Sequence, residues 1–357
     1  CRVACPAAGT LTVGPSADCP SIQAAVNCAA PGSPAAGRTT VLVQPGVYRE
    51  RVVLNKSGLA LIGQAPMAPQ PQPSALPSSA VVVTWSVPNI PVLNVTADDV
   101  VIANLTSYND ANRFQIGKNS GLYVTSGDRT AVYFSSFFGA QDTVYTGMRR
   151  AYLFGCRVNG TTDFNYGQGA AVYDECVLVG ERAGNFYQGQ SFLTATTGNV
   201  STAVPDSPSA RAAYLVRNSR LPATPTIGTT YLGRPWGDGA TVVYSNVWMD
   251  KHIAPAGWCP ENHWRKVPCF PTNETCADTF YAEFNSSGPG ANASGRVQWS
   301  HQLTAAEADD WTPEKVLRGW VPPTPASLNL TRTPTTSEGE ARAESTRWFR
   351  AETELTV

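Results

Sequence analysis

Charge of either sign is scarce in this chain: Asp, Glu, Lys and Arg make up only 15% of its 357 residues, and they nearly cancel to a net charge of −1. No basic stripe is present to track a nucleic-acid backbone and no acidic tail to hold a basic partner, so no nucleic acid is expected to bind. Histidine is scarcer still, with His252, His263 and His301 the whole supply. Each is expected to be structural, since neither a zinc-type Cys/His spacing nor a Gly-x-Ser-x-Gly elbow accompanies them. Long apolar runs are missing as well. None reaches the roughly 20 residues of a membrane-spanning helix, so no membrane partner is expected. The chain starts at Cys1 rather than Met, which fits a removed leader and equally a shortened chain.

Cysteine, by contrast, is present in clusters. Nine occur: Cys1, Cys5, Cys19 and Cys28, then Cys156 and Cys176, then Cys259, Cys269 and Cys276. Local stapling of this kind belongs to an oxidising compartment, and the odd count leaves at least one outside an intrachain bridge. Nine Asn-x-Ser/Thr sequons, at Asn55, Asn94, Asn104, Asn159, Asn199, Asn273, Asn285, Asn292 and Asn329, point the same way, to a secreted glycoprotein.

The strongest internal pattern is a repeat. Ala131-Val-Tyr-Phe-Ser-Ser136, Ala151-Tyr-Leu-Phe-Gly-Cys156 and Ala171-Val-Tyr-Asp-Glu-Cys176 begin 20 residues apart, and similar runs start at Val100, Ala213 and Val242. The links between them are too short to hold both a strand and a crossover helix. A solenoid fits, each coil giving one strand to each of several parallel sheets; an antiparallel sandwich is the alternative. Cys156 and Cys176 then stack in consecutive coils, as a disulfide or as buried thiols. Residues 1–38 are expected to form a Cys-rich cap with a helix over Ser21–Cys28, residues 39–320 the solenoid, and residues 321–357 a polar tail with a helix over Glu340–Phe349. Residues 66–78 read as a Pro/Gln/Ser surface loop.

Two carboxylates share a phase of this repeat. Asp142 follows Ala131 by 11 residues and Asp163 follows Ala151 by 12, so both should project onto one face from adjacent coils. Carboxylates that close do not both ionise easily, which makes one an acid and leaves the other as a nucleophile or base. Either Asp alone would more simply be a turn former.

At this point the motifs resemble those of the pectin methylesterases (pectinesterases), in order: Pro45-Gly-Val-Tyr-Arg-Glu50, Gly139-Ala-Gln-Asp-Thr-Val-Tyr145, Gly160-Thr-Thr-Asp-Phe-Asn-Tyr-Gly167, Tyr231-Leu-Gly-Arg-Pro-Trp236, Ala254-Pro-Ala-Gly-Trp258 and the stretch from Phe280 to Leu303. The resemblance covers roughly residues 20 to 320. It implies an all-β, single-domain, right-handed parallel β-helix with a shallow groove for methylesterified homogalacturonan. By motif position it implies Asp163 as nucleophile, Asp142 as acid/base, Gln141 as oxyanion donor and Arg234 as the residue holding Asp163. Tyr145, Tyr166, Trp236 and Trp258 fall at the positions of groove aromatics, whose faces suit pyranose rings. It further implies a monomer with no metal or cofactor, acting outside the cell or in the cell wall, with a proteinaceous inhibitor as a candidate protein partner.

The chain departs from the family pattern in two places. A second glutamine donor, expected one coil before Gln141, is replaced by Asn119 or, with a one-residue insertion, by Lys118. The usual Phe-Ile-Phe after the nucleophile is Phe164-Asn165-Tyr166, which adds polarity beside the site, and a glycan on Asn159 would stand close enough to Asp163 to obstruct the groove. Two other functions stay open: a β-helix lyase that would need Ca²⁺ bound by clustered carboxylates, and an inactive wall-polysaccharide-binding homologue.

Overall fold

Short runs rich in Val, Ile, Tyr and Phe, bounded by Gly, Asn or Asp, become strands of two to five residues. In the computed structural model they stack in parallel into sheets of 11, 8 and 7 strands. The structure describes residues 1–5, 9–35, 37–64, 80–111, 119–181, 191–192, 194–196, 213–224, 230–235, 240–259, 261–262, 267–268 and 279–330. Successive coils visit the sheets in the same order. Thr130–Tyr133 lies in the 11-stranded sheet, Ser136–Phe138 in the 8-stranded sheet and Val144–Tyr145 in the 7-stranded sheet; Arg150–Phe154, Arg157–Gly160 and Asn165–Gly167 then repeat the circuit. The chain is a right-handed parallel β-helix. The antiparallel sandwich is excluded, because the one antiparallel strand pair among the described residues is the short Glu261–Asn262 with Val267–Pro268.

The register corrects the expected repeat by one residue. Ala151 does pair with Ala171, but Ala131 pairs with Tyr152, and Ala171 pairs with Tyr214 rather than Ala213. A shift of one residue reverses the face a side chain occupies. Ala151 and Ala171 therefore point into the solenoid, beside Leu153 and Tyr173, whereas Ala131 packs in an outer cluster with Tyr133 and Phe134. Corner residues that follow the first-sheet strands take left-handed backbone, including Asn104, Glu175, Asn218, Asn246 and Asn285 with φ between 47° and 56°. Asparagine tolerates that region better than most residues. Stacked corner amides also pair, as in Asn285 Nδ2 donating to Asn246 Oδ1 at 2.8 Å.

The amino-terminal end is closed by the helix Ile22–Cys28, one residue shorter than expected because Ser21 is its N-cap, accepting from the Ala24 N–H. Ile22, Ala25 and Val26 bury against the first coils. The Glu50 carboxylate accepts from the Ile22 and Gln23 N–H groups at 2.8 and 2.9 Å, so the last residue of the Pro45–Glu50 motif serves to dock this helix. Disulfides Cys1–Cys19 and Cys5–Cys28 staple the same segment. Its strand Thr10–Val13 pairs with Thr39–Val43, so the large sheet begins within the expected cap. Cys156 and Cys176 are buried thiols in contact with each other, while Cys269 and Cys276 lie outside the described residues.

At the other end, short helices Ala305–Ala308 and Pro313–Val316 lead to a strap that runs back over the outer face of the 11-stranded sheet. Trp311, Val316 and Leu317 pack on Val172 and Leu215, and Leu328 and Leu330 on Ala131 and Tyr133. The expected loop over 66–78 and helix over Glu340–Phe349 lie outside the described residues.

Candidate active site

The corrected register sharpens the carboxylate pair. Val144 pairs with Asn165, so Asp142 and Asp163, each two residues earlier, occupy equivalent positions in adjacent coils. Both take left-handed backbone, with φ of 61° and 53°, and both are nearly enclosed, at 3% and 5% exposure. Left-handed non-glycine residues are held there only by their surroundings. Here a ladder hydrogen bond from the Asp142 N–H to the Thr162 carbonyl (3.1 Å) and one from Ser120 Oγ to the Asp142 carbonyl (2.6 Å) fix the turn.

Arg234 joins them from two strands further on. Tyr166 pairs with Ala195, and Ala195 with Arg234. The guanidinium grips Asp163 with both arms: Nε donates to Oδ1 at 2.9 Å and Nη2 to Oδ2 at 2.5 Å. Such a planar fork fixes a carboxylate's orientation as well as its charge. Burial works against the Arg234 charge, but the hydrogen bonds and charge of Asp163, with Cys259 and Asp142 adding to them, outweigh it and hold its proton above the ordinary arginine range.

The remaining motifs brace Arg234. Leu232 N–H donates to the Gly257 carbonyl and Cys259 N–H to the Gly233 carbonyl, at 2.7 and 3.0 Å, which ties the Arg234 segment to the Ala254–Trp258 loop. Arg296 holds that loop from below, bonding the Ala254 and Pro255 carbonyls and pairing with buried Glu283 at 2.7 Å. Trp258 is therefore no groove aromatic: it is 0% exposed, stacked on Tyr281 at 4.4 Å with Tyr244 at its edge, and it fills the core because the chain reverses at Gly257 and turns the indole inward.

The outward row of the 7-stranded sheet carries a tyrosine stack. Tyr123, Tyr145 and Tyr166 are register neighbours, with ring centroids 4.2 and 4.7 Å apart. Tyr123 and Tyr145 are half-buried, whereas Tyr166 is 4% exposed beneath its neighbours and has little face to offer a sugar. Tyr123 was not anticipated, although Leu122-Tyr123, Val144-Tyr145 and Asn165-Tyr166 are parallel dipeptides once the coil length is known. Asn165 shares the inward row with Leu122 and Val144, so its amide lies inside the solenoid and not beside the site.

Gln141 is half-exposed next to Asp142, as an oxyanion donor requires. Asn119 sits one coil earlier, its N–H donating to the Gln141 carbonyl at 3.0 Å, but its side-chain amide is 1% exposed and donates to the Ala111 carbonyl. Lys118 and Trp236 lie outside the described residues. The Asn159 sequon is fully enclosed: Arg157 Nε donates to its Oδ1 and its Nδ2 donates to Glu181, so in the folded protein no glycan there can block the groove. His252 is buried at 8% exposure, His301 stacks on Phe280 at 4.7 Å, and His263 lies outside the described residues.

A family model for pectinesterase matches residues 10–320. A probable pectinesterase/pectinesterase inhibitor of Arabidopsis thaliana is 28% identical over 298 residues, which is 80% of this chain and 53% of the relative, so the chain spans about half the length of that relative. Among solved structures, a pectin methylesterase from carrot superposes with a TM-score of 0.70 at 23% identity, covering 87% of this chain and 93% of that one, a likeness of fold. A pectin methylesterase in complex with a hexasaccharide superposes with a TM-score of 0.68 at 26% identity, covering 88% of this chain and 98% of that one.

Proposed function

This chain belongs to the pectinesterase family, and from that premise we propose that it hydrolyses the C6 methyl esters of galacturonate in homogalacturonan, giving pectate and methanol. The observation that carries the reading is the two-armed grip of Arg234 on Asp163, with a second enclosed carboxylate, Asp142, in the equivalent place one coil away. Asp163 is thereby held in one orientation, which suits a nucleophile. Attack on the ester carbonyl forms a tetrahedral oxyanion, to which the Gln141 amide donates. Its collapse expels methanol as Asp142 gives up its proton, leaving an acyl anhydride on Asp163. Asp142, now a carboxylate, takes a proton from water as that water attacks the anhydride, which frees galacturonate and restores both side chains. Tyr145 and Tyr123 offer the exposed aromatic surface next to the carboxylates, where a pyranose ring can pack. Disulfides at the amino-terminal end support action in an oxidising compartment, outside the cell or in the cell wall.

The test is methanol release from highly methylated pectin. Wild type should release methanol, with or without excess chelator, and Asp163→Ala should release none while still folding and binding methylated oligogalacturonate, at a melting temperature lowered because Arg234 loses its buried partner. Substantial esterase activity in Asp163→Ala would falsify the nucleophile assignment. Unsaturated chain ends in place of methanol would instead favour a lyase, a reading that the engagement of Asp163 by Arg234 already disfavours, since a Ca²⁺ site needs its carboxylates uncommitted.

A further inference from the structure

Of the Asn-x-Ser/Thr sequons, one stands in the row that carries the tyrosine stack. Asn94 pairs with Tyr123 on one side and Val53 on the other, so the outward row of the 7-stranded sheet reads Val53, Asn94, Tyr123, Tyr145 and Tyr166 from its amino-terminal edge. Neighbouring strands lie about 4.8 Å apart, which puts Asn94 one step from Tyr123 and roughly 10 Å from Tyr145. The row stops at Val53, where the Gln23 side chain accepts from the N–H at 2.7 Å and donates to the carbonyl at 3.4 Å, closing the sheet edge with the amino-terminal helix. Asn94 is half-buried. Its Oδ1 accepts from Thr125 Oγ1 at 2.5 Å, and its Nδ2 has no hydrogen-bond partner among the described residues. The amide is thus oriented through its oxygen, and its nitrogen is left uncommitted. Other sequons differ: Asn104 and Asn159 are enclosed, at 8% and 0% exposure, Asn285 follows a strand of the 11-stranded sheet, and Asn55 is exposed but two strands from Tyr123.

We propose that Asn94 is an N-glycosylation site whose glycan closes the amino-terminal end of the groove, its first N-acetylglucosamine packing against Tyr123. The effect on substrate rests on the reading of this row as the sugar platform. In the modification, Asn94 Nδ2 attacks C1 of an oligosaccharide carried on a lipid diphosphate: the C1–N bond forms, the bond from C1 to the diphosphate oxygen breaks, the amide gives up one proton and the lipid diphosphate leaves. The amino-terminal disulfides fit a chain that folds in the oxidising compartment where such donors act. The bond from Thr125 survives the modification because it uses Oδ1 alone. Tyr145 stacks on Tyr123 from one side, with centroids 4.2 Å apart, and the register sets Asn94 on the other, where a pyranose ring suits the aromatic face. Only Val53 lies beyond Asn94 in the row, so a glycan at this position fills that end of the platform. The glycan and a long galacturonan therefore compete for Tyr123, while a short substrate seated on Tyr145 beside the carboxylates does not meet the glycan.

The experiment compares wild type, Asn94→Gln and Thr96→Val, each as the full chain secreted from a eukaryotic host. Glycopeptide mass spectrometry should find Asn94 occupied in wild type and bare in Thr96→Val, which keeps Asn94 and its Thr125 bond but removes the sequon. Methanol release is then measured on methylated oligogalacturonates of increasing length. On oligomers long enough to span the tyrosine row, both variants should lower KM about threefold, the scale of one aromatic contact regained, with kcat unchanged. On the shortest oligomers that are demethylated, KM should match wild type. An unmodified Asn94 in wild type overturns the proposal. An occupied Asn94 whose loss leaves KM for long oligomers unchanged overturns the closing of the groove, and so does a change in KM that is equal for short and long oligomers. If Asn94→Gln fails to fold, Thr96→Val decides by the same readings. Absence of methanol from wild type would instead sink the proposed function, and occupancy of Asn94 is read independently of it.

Discussion

Arg234 and Asp163 meet with side chains that are each only 7% exposed. At that depth the pair is held together as much by the penalty of separating it as by its attraction, because removing one partner strands the other as an uncompensated charge. Arg234→Ala should therefore lose about 3 kcal/mol of stability in denaturant unfolding and lower kcat/KM for methylated pectin by at least about 100-fold. Asp142 differs in kind: its charge reaches the same arginine without the forked grip. Two chemically identical residues in equivalent coil positions are thus given different surroundings, and the proposed division into nucleophile and acid follows from that difference. At this scale the sequence was legible where spacing and motif order bring side chains together, as for the matching positions of Asp142 and Asp163 and the meeting of Asp163 with Arg234. It was not legible for Trp258, whose motif position says nothing about which way the indole turns, nor for Asn119, whose amide is taken by a carbonyl eight positions earlier in the chain.

Among the elements, the amino-terminal helix shows how a motif can be structural. Glu50 receives both leading N–H groups of Ile22–Cys28, joining a strand-end residue to a helix that would otherwise end in unsatisfied donors. Glu50→Ala should destabilise the protein by about 1 kcal/mol, the cost of a lost helix cap, measured by urea unfolding, and leave kcat unchanged because the site lies coils away. The strands show the opposite relation between pattern and role. Repeated Ala-aromatic starts located the coils, but Ala131 and Ala151 look alike and face opposite sides of the sheet. Strand periodicity is two residues, so a single extra residue between coils is invisible as composition and decisive as geometry. That extra residue also brings the aspartates into line: Asp142 follows Ala131 by the same interval as Asp163 follows Tyr152.

For the molecule as a whole, stability should depend on pH through His252, which is buried and has its pKa lowered to about 4 from 6.5, chiefly by burial, with Asp250 opposing. Between those values the unfolded chain binds a proton at this position and the folded one does not, so stability rises with pH across that window and is lost as pH falls from about 6.5 to about 4. The full effect is about 3 kcal/mol. His252→Gln should remove that part of the slope, seen as a smaller change in unfolding free energy between pH 7 and pH 4 than wild type shows. An equal slope in the variant would mean that other groups carry the acid sensitivity. The same burial explains why a histidine in a histidine-poor chain has no catalytic part here: it lies apart from the aspartate coils and stays neutral.

By itself the sequence determined that the chain coils, through strand-length apolar runs at a near-constant interval with no room for crossover helices, and it determined which side chains could carry chemistry, because a carboxylate, an amide and a guanidinium are fixed by residue type. Only the tertiary structure decided which of them meet. Register assigned each residue to the inner or outer face, stacking Tyr166 on Tyr145 and turning Asn165 inward. Chain reversal at Gly257 buried Trp258, and two strands from further along the chain brought Arg234 to Asp163. Those outcomes depend on insertions of single residues and on contacts between distant segments, and neither leaves a local trace in composition or period.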